Sequence, residues 1–187
     1  MSTKVITGRV RFSYLNWAQP KKNDLNGKME YSTQVLIPKS DKTTLENLRA
    51  AIKAAIEKKW GGKAPAGWRN PIRDGDTEKK EDGSPLPAEY KGHYFLNIRT
   101  DQKPGAVDVN RVALIEADQF VSGDYGRVSI NAYAYDQKGN KGVSFGWNNA
   151  QFLEKGESLG GRARAEDDFD DDSNGGGGGA GFDDAEF

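Results

Sequence analysis

The chain of 187 residues contains no cysteine and a single histidine, His93. Without thiols, disulfide frameworks and thiol catalysis are excluded, and the usual zinc sites lose most of their ligands. No apolar run approaches the roughly 18 residues that a membrane span needs, and the opening MSTKVITGRV lacks the apolar core of a signal peptide. These absences predict a soluble, cytoplasmic protein without a membrane span, and no membrane partner is predicted from them.

Charge is distributed unevenly along the chain, although the formal net charge is only -1. Nine acidic residues and no Lys or Arg lie between Glu166 and Phe187. Residues 1–165 therefore contain all 27 basic residues and 19 acids and carry +8, while the last segment carries -9. This asymmetry favours contact with nucleic acid or a membrane surface, and the alternative is an ordinary domain with an acidic solubility tail.

The acidic segment also contains five consecutive glycines, Gly175–Gly179. Repelling carboxylates and a glycine spacer offer too little apolar surface to offset the entropy of ordering, which predicts a disordered tail over residues 161–187. The hydrophobic fraction of 35% fits a chain that is only partly folded. Residues 1–160 are the predicted folded domain.

Period-two patterns predict that this domain is mainly β. The first strand would place Ile6, Val10 and Phe12 on one face and Thr7, Arg9 and Arg11 on the other. Further strands are predicted over residues 28–37, 93–100, 125–135 and 141–152, with a hairpin turn at 136–140 and a possible short strand at 107–115.

One α-helix is predicted over about residues 43–60, where apolar residues recur at intervals of three and four. Thr43 and Glu46 have the spacing of a capping box, and Gly61-Gly62 stops the helix. Residues 63–92 show no periodicity and form a long loop. The count of elements favours an OB-fold-like small antiparallel barrel with one helix and long loops.

Catalytic chemistry finds little support in the sequence, and no catalytic residue, metal or cofactor is predicted. Asp74 and Asp76 offer two carboxylates for a divalent cation, but Asp-Gly-Asp is more often a turn. His93 lacks a neighbouring nucleophile signature and is read as structural, and no phosphate-binding glycine loop occurs. A metal-dependent nuclease acting through the two aspartates is kept as the enzymatic alternative.

Binding of a single nucleic-acid strand has better support, because it requires cations along a groove and flat side chains for base stacking. The predicted outer faces combine both, although strand aromatics are at least as often packing residues and a slip of one residue exchanges the faces. The candidate residues are Arg9, Arg11, Trp17, Phe95, Arg99, Tyr125, Arg127, Tyr133, Tyr135, Lys138, Lys141 and Trp147.

The sequence resembles phage-encoded single-stranded DNA-binding proteins, the family of an Enterobacter phage protein and its relatives. Four segments carry the resemblance: residues 5–14 (VITGRVRFSY), 31–42 with LIPKSDK, 114–123, and 134–142 (AYDQKGNKG) with NNAQ at 148–151. The resemblance implies an OB fold that coats exposed single strands without sequence readout during DNA replication, recombination and repair, in the host cytoplasm. One departure is that the predicted helix follows the second strand, whereas an OB helix follows the third.

In such proteins an acidic tail with an aromatic tip recruits replication or recombination enzymes and competes with DNA for the groove. The matching residues here are Asp183, Asp184, Glu186 and Phe187. A protein-interaction adaptor with a solubility tail is the main rival hypothesis, and the sequence assigns no oligomeric state.

Overall fold

A computed structural model describes residues 2–159, and the predicted tail lies outside the described residues. The described part contains eight strands and one α-helix. The elements are β1 (Lys4–Ile6), β2 (Val10–Lys22), β3 (Met29–Pro38), α1 (Lys42–Trp60), β4 (Arg73–Asp74), β5 (His93–Thr100), β6 (Gly105–Val107), β7 (Tyr125–Gln137) and β8 (Asn140–Glu154). Short 3-10 turns occur at Ala88–Tyr90 and Ala117–Gln119.

Five of the strands form a closed but irregular ring in the order β2, β3, β5, β8, β7 and back to β2. Neighbours in the ring are antiparallel except β5 and β8, which are parallel. Two joints are short: Ile98 and Arg99 pair with Phe145 and Gly146 across β5–β8, and Val10 and Arg11 pair with Gly126 and Tyr125 across β2–β7. The predicted OB-fold-like class, mainly β with one α-helix, is confirmed.

The main core fills the ring and continues beneath α1. Inward residues of the strands alternate with outward ones, as the period of two requires, and include Phe12, Val35, Leu96, Ile98, Ile130 and Phe145. The helix contributes Leu45, Leu48 and Ile52 and packs on β7 and β1. The apolar spacing that predicted the helix is therefore the face that it buries.

The ends of α1 agree with the prediction, but its N-terminal cap does not. Asp41 is the cap, and its carboxylate accepts a hydrogen bond from the Thr44 backbone N–H at 3.1 Å. The predicted capping box at Thr43 and Glu46 is wrong. The helix begins at Lys42, one residue before the predicted start, and the Asp41 carboxylate satisfies the backbone N–H of Thr44 in the first turn. Gly61 ends the helix with φ 66°, a left-handed conformation that glycine adopts without strain.

The predicted first strand is interrupted after Ile6, so β1 and β2 are separate elements. Val5 is buried and Ile6 is exposed, which makes the predicted inward position of Ile6 wrong. Thr7 is instead fully buried, and its hydroxyl accepts a hydrogen bond from Val128 N at 3.1 Å. Strand β1 pairs with β7 but is not itself part of the ring. Helix α1 therefore follows the third strand of the chain, β3, which is the second strand of the ring.

Two loops position residues for the site. The β7–β8 hairpin turns through Lys138 (φ 49°) and Gly139 (φ 81°), which confirms the predicted turn and fits a two-residue type I′ geometry. The long loop over residues 63–92 is mostly irregular, as predicted, and β4 docks it onto β5.

The short strand predicted at 107–115 is instead β6 followed by a turn, in which Asp108 N donates to Val112 O at 2.9 Å.

Candidate nucleic-acid interface

An open groove runs across the outer faces of the ring strands in two connected parts. The first part, which we call the hairpin groove, encloses about 780 Å³ and is lined by Arg69, Arg73, Asn97, Arg99, Tyr133 and Tyr135 among others. The second part, which we call the Tyr14 pocket, encloses about 390 Å³ and is lined by Tyr14, Lys21, Lys22, Asn97 and Arg99 among others. Glu30, Asn97 and Arg99 line both parts, so the two parts adjoin.

Strand alternation explains why polar and aromatic side chains reach the hairpin groove. In β5, Leu96 and Ile98 are buried in the core, while Asn97 and Arg99 are exposed. In β7, Ala132 is buried and its neighbour Tyr133 is 45% exposed, opposite Ser144 of β8. The predicted outward positions of Arg99, Tyr133 and Tyr135 on this face are those that the structure shows.

Positive charge dominates the groove. Its two parts are lined by six cations, Lys21, Lys22, Lys28, Arg69, Arg73 and Arg99, and by two acids, Glu30 and Glu78. A concave surface with this excess of cations attracts the phosphates of a nucleic-acid strand.

Two arginines of the groove already have carboxylate neighbours. Arg73 donates from Nε to Glu78 at 2.9 Å and also pairs with it through Nη2, and these hydrogen bonds raise the pKa of Arg73. Arg99 lies 3.9 Å from Glu30, whose carboxylate accepts hydrogen bonds from Asn23 and Asn26. The contact of Arg99 is therefore looser, which leaves its guanidinium better placed to donate hydrogen bonds to a phosphate.

Sequence reasoning missed several residues that line the groove. Tyr14 is 65% exposed, although strict alternation would place it beside Phe12 in the core, and a β-bulge in β2 reverses its direction. Arg69 and Arg73 come from the long loop, where no periodicity marks their orientation. For Lys21 and Lys22 the signal was available, because two consecutive lysines at the end of a strand expose their charges.

Comparison with known proteins decides the family. A family model described as the single-stranded DNA-binding protein of Enterobacter phage Enc34 matches residues 3–177. The chain belongs to this family. Protein p50 of the Acyrthosiphon pisum secondary endosymbiont phage 1 is 31% identical over 178 residues, which cover 89% of this chain and 92% of that protein.

Solved structures show the same fold at lower identity. The Enc34 single-stranded DNA-binding protein in complex with single-stranded DNA superposes with a TM-score of 0.72 at 20% identity, covering 84% of this chain and 90% of the Enc34 chain. The T7 single-stranded DNA-binding protein gp2.5 superposes with a TM-score of 0.54 at 11% identity, covering 86% and 97%. The architecture of the Enc34 family is thus shared by the described part of this chain.

Three aromatic residues among the stacking candidates are buried, which contradicts their selection for base stacking. Trp17 packs in the core, and its indole N–H donates to Phe120 O at 2.8 Å. Trp147 lies in the same core cluster, in phase with Phe145. Phe95 does point outward from β5, but Tyr90 of the long loop covers it with a ring-centroid distance of 5.1 Å.

Another predicted set, Arg9, Arg11 and Tyr125, lines neither part of the groove. The guanidinium carbons of Arg9 and Arg11 lie 4.5 and 5.4 Å from the centroid of the Tyr125 ring. Arg9 pairs with Glu154, and Arg11 donates to Gly123 O at 3.0 Å and Glu157 O at 2.8 Å. These contacts give the set a role in holding residues 154–157 against β2, and DNA contact there stays a prediction.

The other predicted cations lie along the β7–β8 hairpin. Arg127 is exposed on β7, and its Nε donates to Thr7 O at 2.8 Å. Lys138 lies in the turn of the hairpin and Lys141 follows it in β8, where Lys141 O accepts a hydrogen bond from Arg69 N at 2.9 Å. The long loop therefore braces the hairpin that carries Tyr133 and Tyr135.

The candidate metal ligands Asp74 and Asp76 are already engaged with a cation. Lys39 Nζ donates to a carboxylate oxygen of each at 2.7 Å, and these hydrogen bonds lower the pKa of both aspartates. Over residues 2–159, no group of three or more acidic or histidine side chains is arranged to hold a metal ion. The contacts of Lys39 with Asp74 and Asp76 therefore link the residue after β3 to the long loop.

None of the helices in the described range is long and apolar enough to cross a membrane.

Proposed function

We propose that the protein binds single-stranded DNA without reading its sequence. The observation that carries the proposal is the hairpin groove, which exposed Tyr133 and half-buried Tyr135 line together with Arg99, Arg69 and Lys28. Tyrosine rings offer a face to any base, and the cations contact phosphates that every sequence shares. Membership of the Enc34 single-stranded DNA-binding family supports the same ligand.

We further propose that this binding protects exposed strands during phage DNA replication, recombination and repair in the host cytoplasm. A coating role requires no catalysis, and the contact of Asp74 and Asp76 with Lys39 leaves the nuclease alternative without an open pair of carboxylates. Lys138 and Lys141 at the hairpin tip, together with Arg127, extend the cationic surface beyond the groove.

Titration of the full chain with a fluorescent single-stranded oligonucleotide and with its duplex tests the proposal. We expect tighter binding to the single strand, with log K falling against log salt by about 0.7 per phosphate neutralised, a slope of about -3 to -4 for four to six contacts. The same samples incubated with magnesium should retain intact DNA. Equal and salt-independent affinity for both forms would favour the adaptor alternative, and cleavage would favour the nuclease.

For residues 161–187 we propose two roles, competition with DNA through the acids and recruitment of replication or recombination proteins through Phe187 with Asp183, Asp184 and Glu186. Truncation before Glu166 is expected to tighten binding at low salt, because nine negative charges are removed from a molecule whose remaining part carries +8.

Two matched variants separate the two roles of this segment in the same titration. Replacing the nine acids by their amides should tighten DNA binding as much as truncation does, while Phe187→Ala should leave it unchanged. If the truncated and full chains bind DNA equally at every salt concentration, the competition role is wrong.

A further inference from the structure

Tyr14 adopts a backbone conformation that bulky residues rarely take. Its φ is 50°, in the left-handed region where the Cβ atom of an L-residue crowds the backbone. The conformation arises at a β-bulge: β2 advances three residues, from Ser13 to Asn16, while β3 advances two, from Gln34 to Ser32. One extra residue is accommodated, and the tyrosine is turned out of the ring.

Burial does not offset this strain, since Tyr14 is 65% exposed. Local hydrogen bonds hold the bulge in place: Asn16 Nδ2 donates to Tyr14 O at 3.0 Å, and Leu15 N donates to Ser122 Oγ at 2.9 Å. A glycine at this position would relieve the strain but would remove the ring. Strained residues held by their surroundings concentrate at functional sites. The strain at Tyr14 therefore points to a function for its exposed ring.

The surroundings of the ring have the chemistry of a nucleotide site. The Tyr14 pocket encloses about 390 Å³, and its lining residues include Lys21, Lys22, Arg99, Gln34 and Asn97. The Glu30 carboxylate also lines the pocket, where Asn23 and Asn26 hold it at 2.9 and 3.1 Å. The volume is at the small end of the range for small-molecule sites, about 300–1,000 Å³.

We propose that the Tyr14 pocket is a nucleotide subsite, in which one unpaired base stacks on Tyr14 and the adjoining phosphates contact Lys21, Lys22 and Arg99. The inference rests on the proposed single-stranded DNA binding and extends it to the surface formed by β2, β3 and β5. Because the pocket shares Glu30, Asn97 and Arg99 with the hairpin groove, a strand that leaves the groove past Arg99 reaches the pocket next. The bulge in β2 is the device that supplies this stacking face.

The test compares three variants of the full chain, Tyr14→Ala, Tyr14→Gly and Tyr14→Phe, by oligonucleotide titration and thermal unfolding. Loss of one stacked base is expected to weaken binding by about 5- to 150-fold in the alanine and glycine variants. Tyr14→Phe keeps the ring and should keep the affinity. Tyr14→Gly should unfold about 1–4 °C above Tyr14→Ala, because only glycine is relieved of the left-handed strain.

Arg111 supplies the matched control, since it has φ 63° in a loop that lines neither part of the groove. Arg111→Gly should likewise unfold above Arg111→Ala, and the two should bind DNA equally. If the wild-type chain binds single-stranded DNA and the Tyr14 variants bind it equally well, the subsite is wrong while the proposed function stands. If the wild-type chain binds none, both fail.

Discussion

Single-stranded DNA is expected to bind the double variant Tyr133→Ala, Tyr135→Ala at least about 2 kcal/mol more weakly than the wild-type chain. Each stacked base contributes about 1–3 kcal/mol, so two lost rings correspond to about 30-fold or more in Kd. Tyr133 is on the exposed face of β7, and both residues line the hairpin groove. Fluorescence titration at one fixed salt concentration measures the loss.

Tyr125→Ala is the matched control for this double variant. Its ring lies on β7 as well, but the guanidinium groups of Arg9 and Arg11 cover it away from the groove. The control should bind DNA nearly as the wild-type chain does, and a double variant with phenylalanine at 133 and 135 should keep most of the affinity. A large loss for Tyr125→Ala, with none for the double alanine variant, would place the DNA path on the Arg9 and Arg11 surface instead.

The second large effect concerns stability. Trp147→Ala is expected to lower the free energy of unfolding by about 3–5 kcal/mol, the usual result of truncating a buried aromatic residue. Trp147 is buried within the ring core, and the cavity left behind would lower Tm by roughly 6–20 °C for a chain of this size. Thermal and chemical denaturation measure both quantities.

Trp147→Phe should cost less, since it fills part of the cavity. Tyr133→Ala should lower Tm much less than Trp147→Ala, because Tyr133 is 45% exposed and lies outside the core cluster. Measured well below Tm, the DNA affinity of Trp147→Ala should stay close to the wild-type value. A stable Trp147→Ala variant that fails to bind DNA would restore Trp147 as a stacking residue and contradict its burial.

Local patterns were sufficient for most of the elements. The apolar spacing of Leu45, Leu48 and Ile52 marked the helix, and the alternation in β7 marked which side of that strand faces the core. The Lys138-Gly139 turn followed from residue type, because glycine tolerates the positive φ that a two-residue hairpin needs. These features depend on a few neighbouring residues, which is why the sequence predicts them.

The residues that were placed wrongly depend on distant contacts or on broken alternation. Phe95 points outward as predicted, but Tyr90 of the long loop covers it. Trp17 follows a bulge, so counting in twos from Phe12 cannot place it, and its partner Phe120 lies more than a hundred residues away. The same bulge reverses the direction of Tyr14. Arg69 and Arg73 come from the long loop, which has no periodicity to indicate where their side chains point.

The parallel joint between β5 and β8 is only two residue pairs long, and the proposed DNA path crosses it from Arg99 to Tyr133. A strand that contacts both sides would tie the ring together at one of its two short joints. Ring closure and DNA occupancy are then thermodynamically linked, since a ligand bound only by the closed form stabilises that form. Coating of DNA would thus protect the strand and also stabilise the protein against unfolding, so the DNA-free protein would be the less stable form.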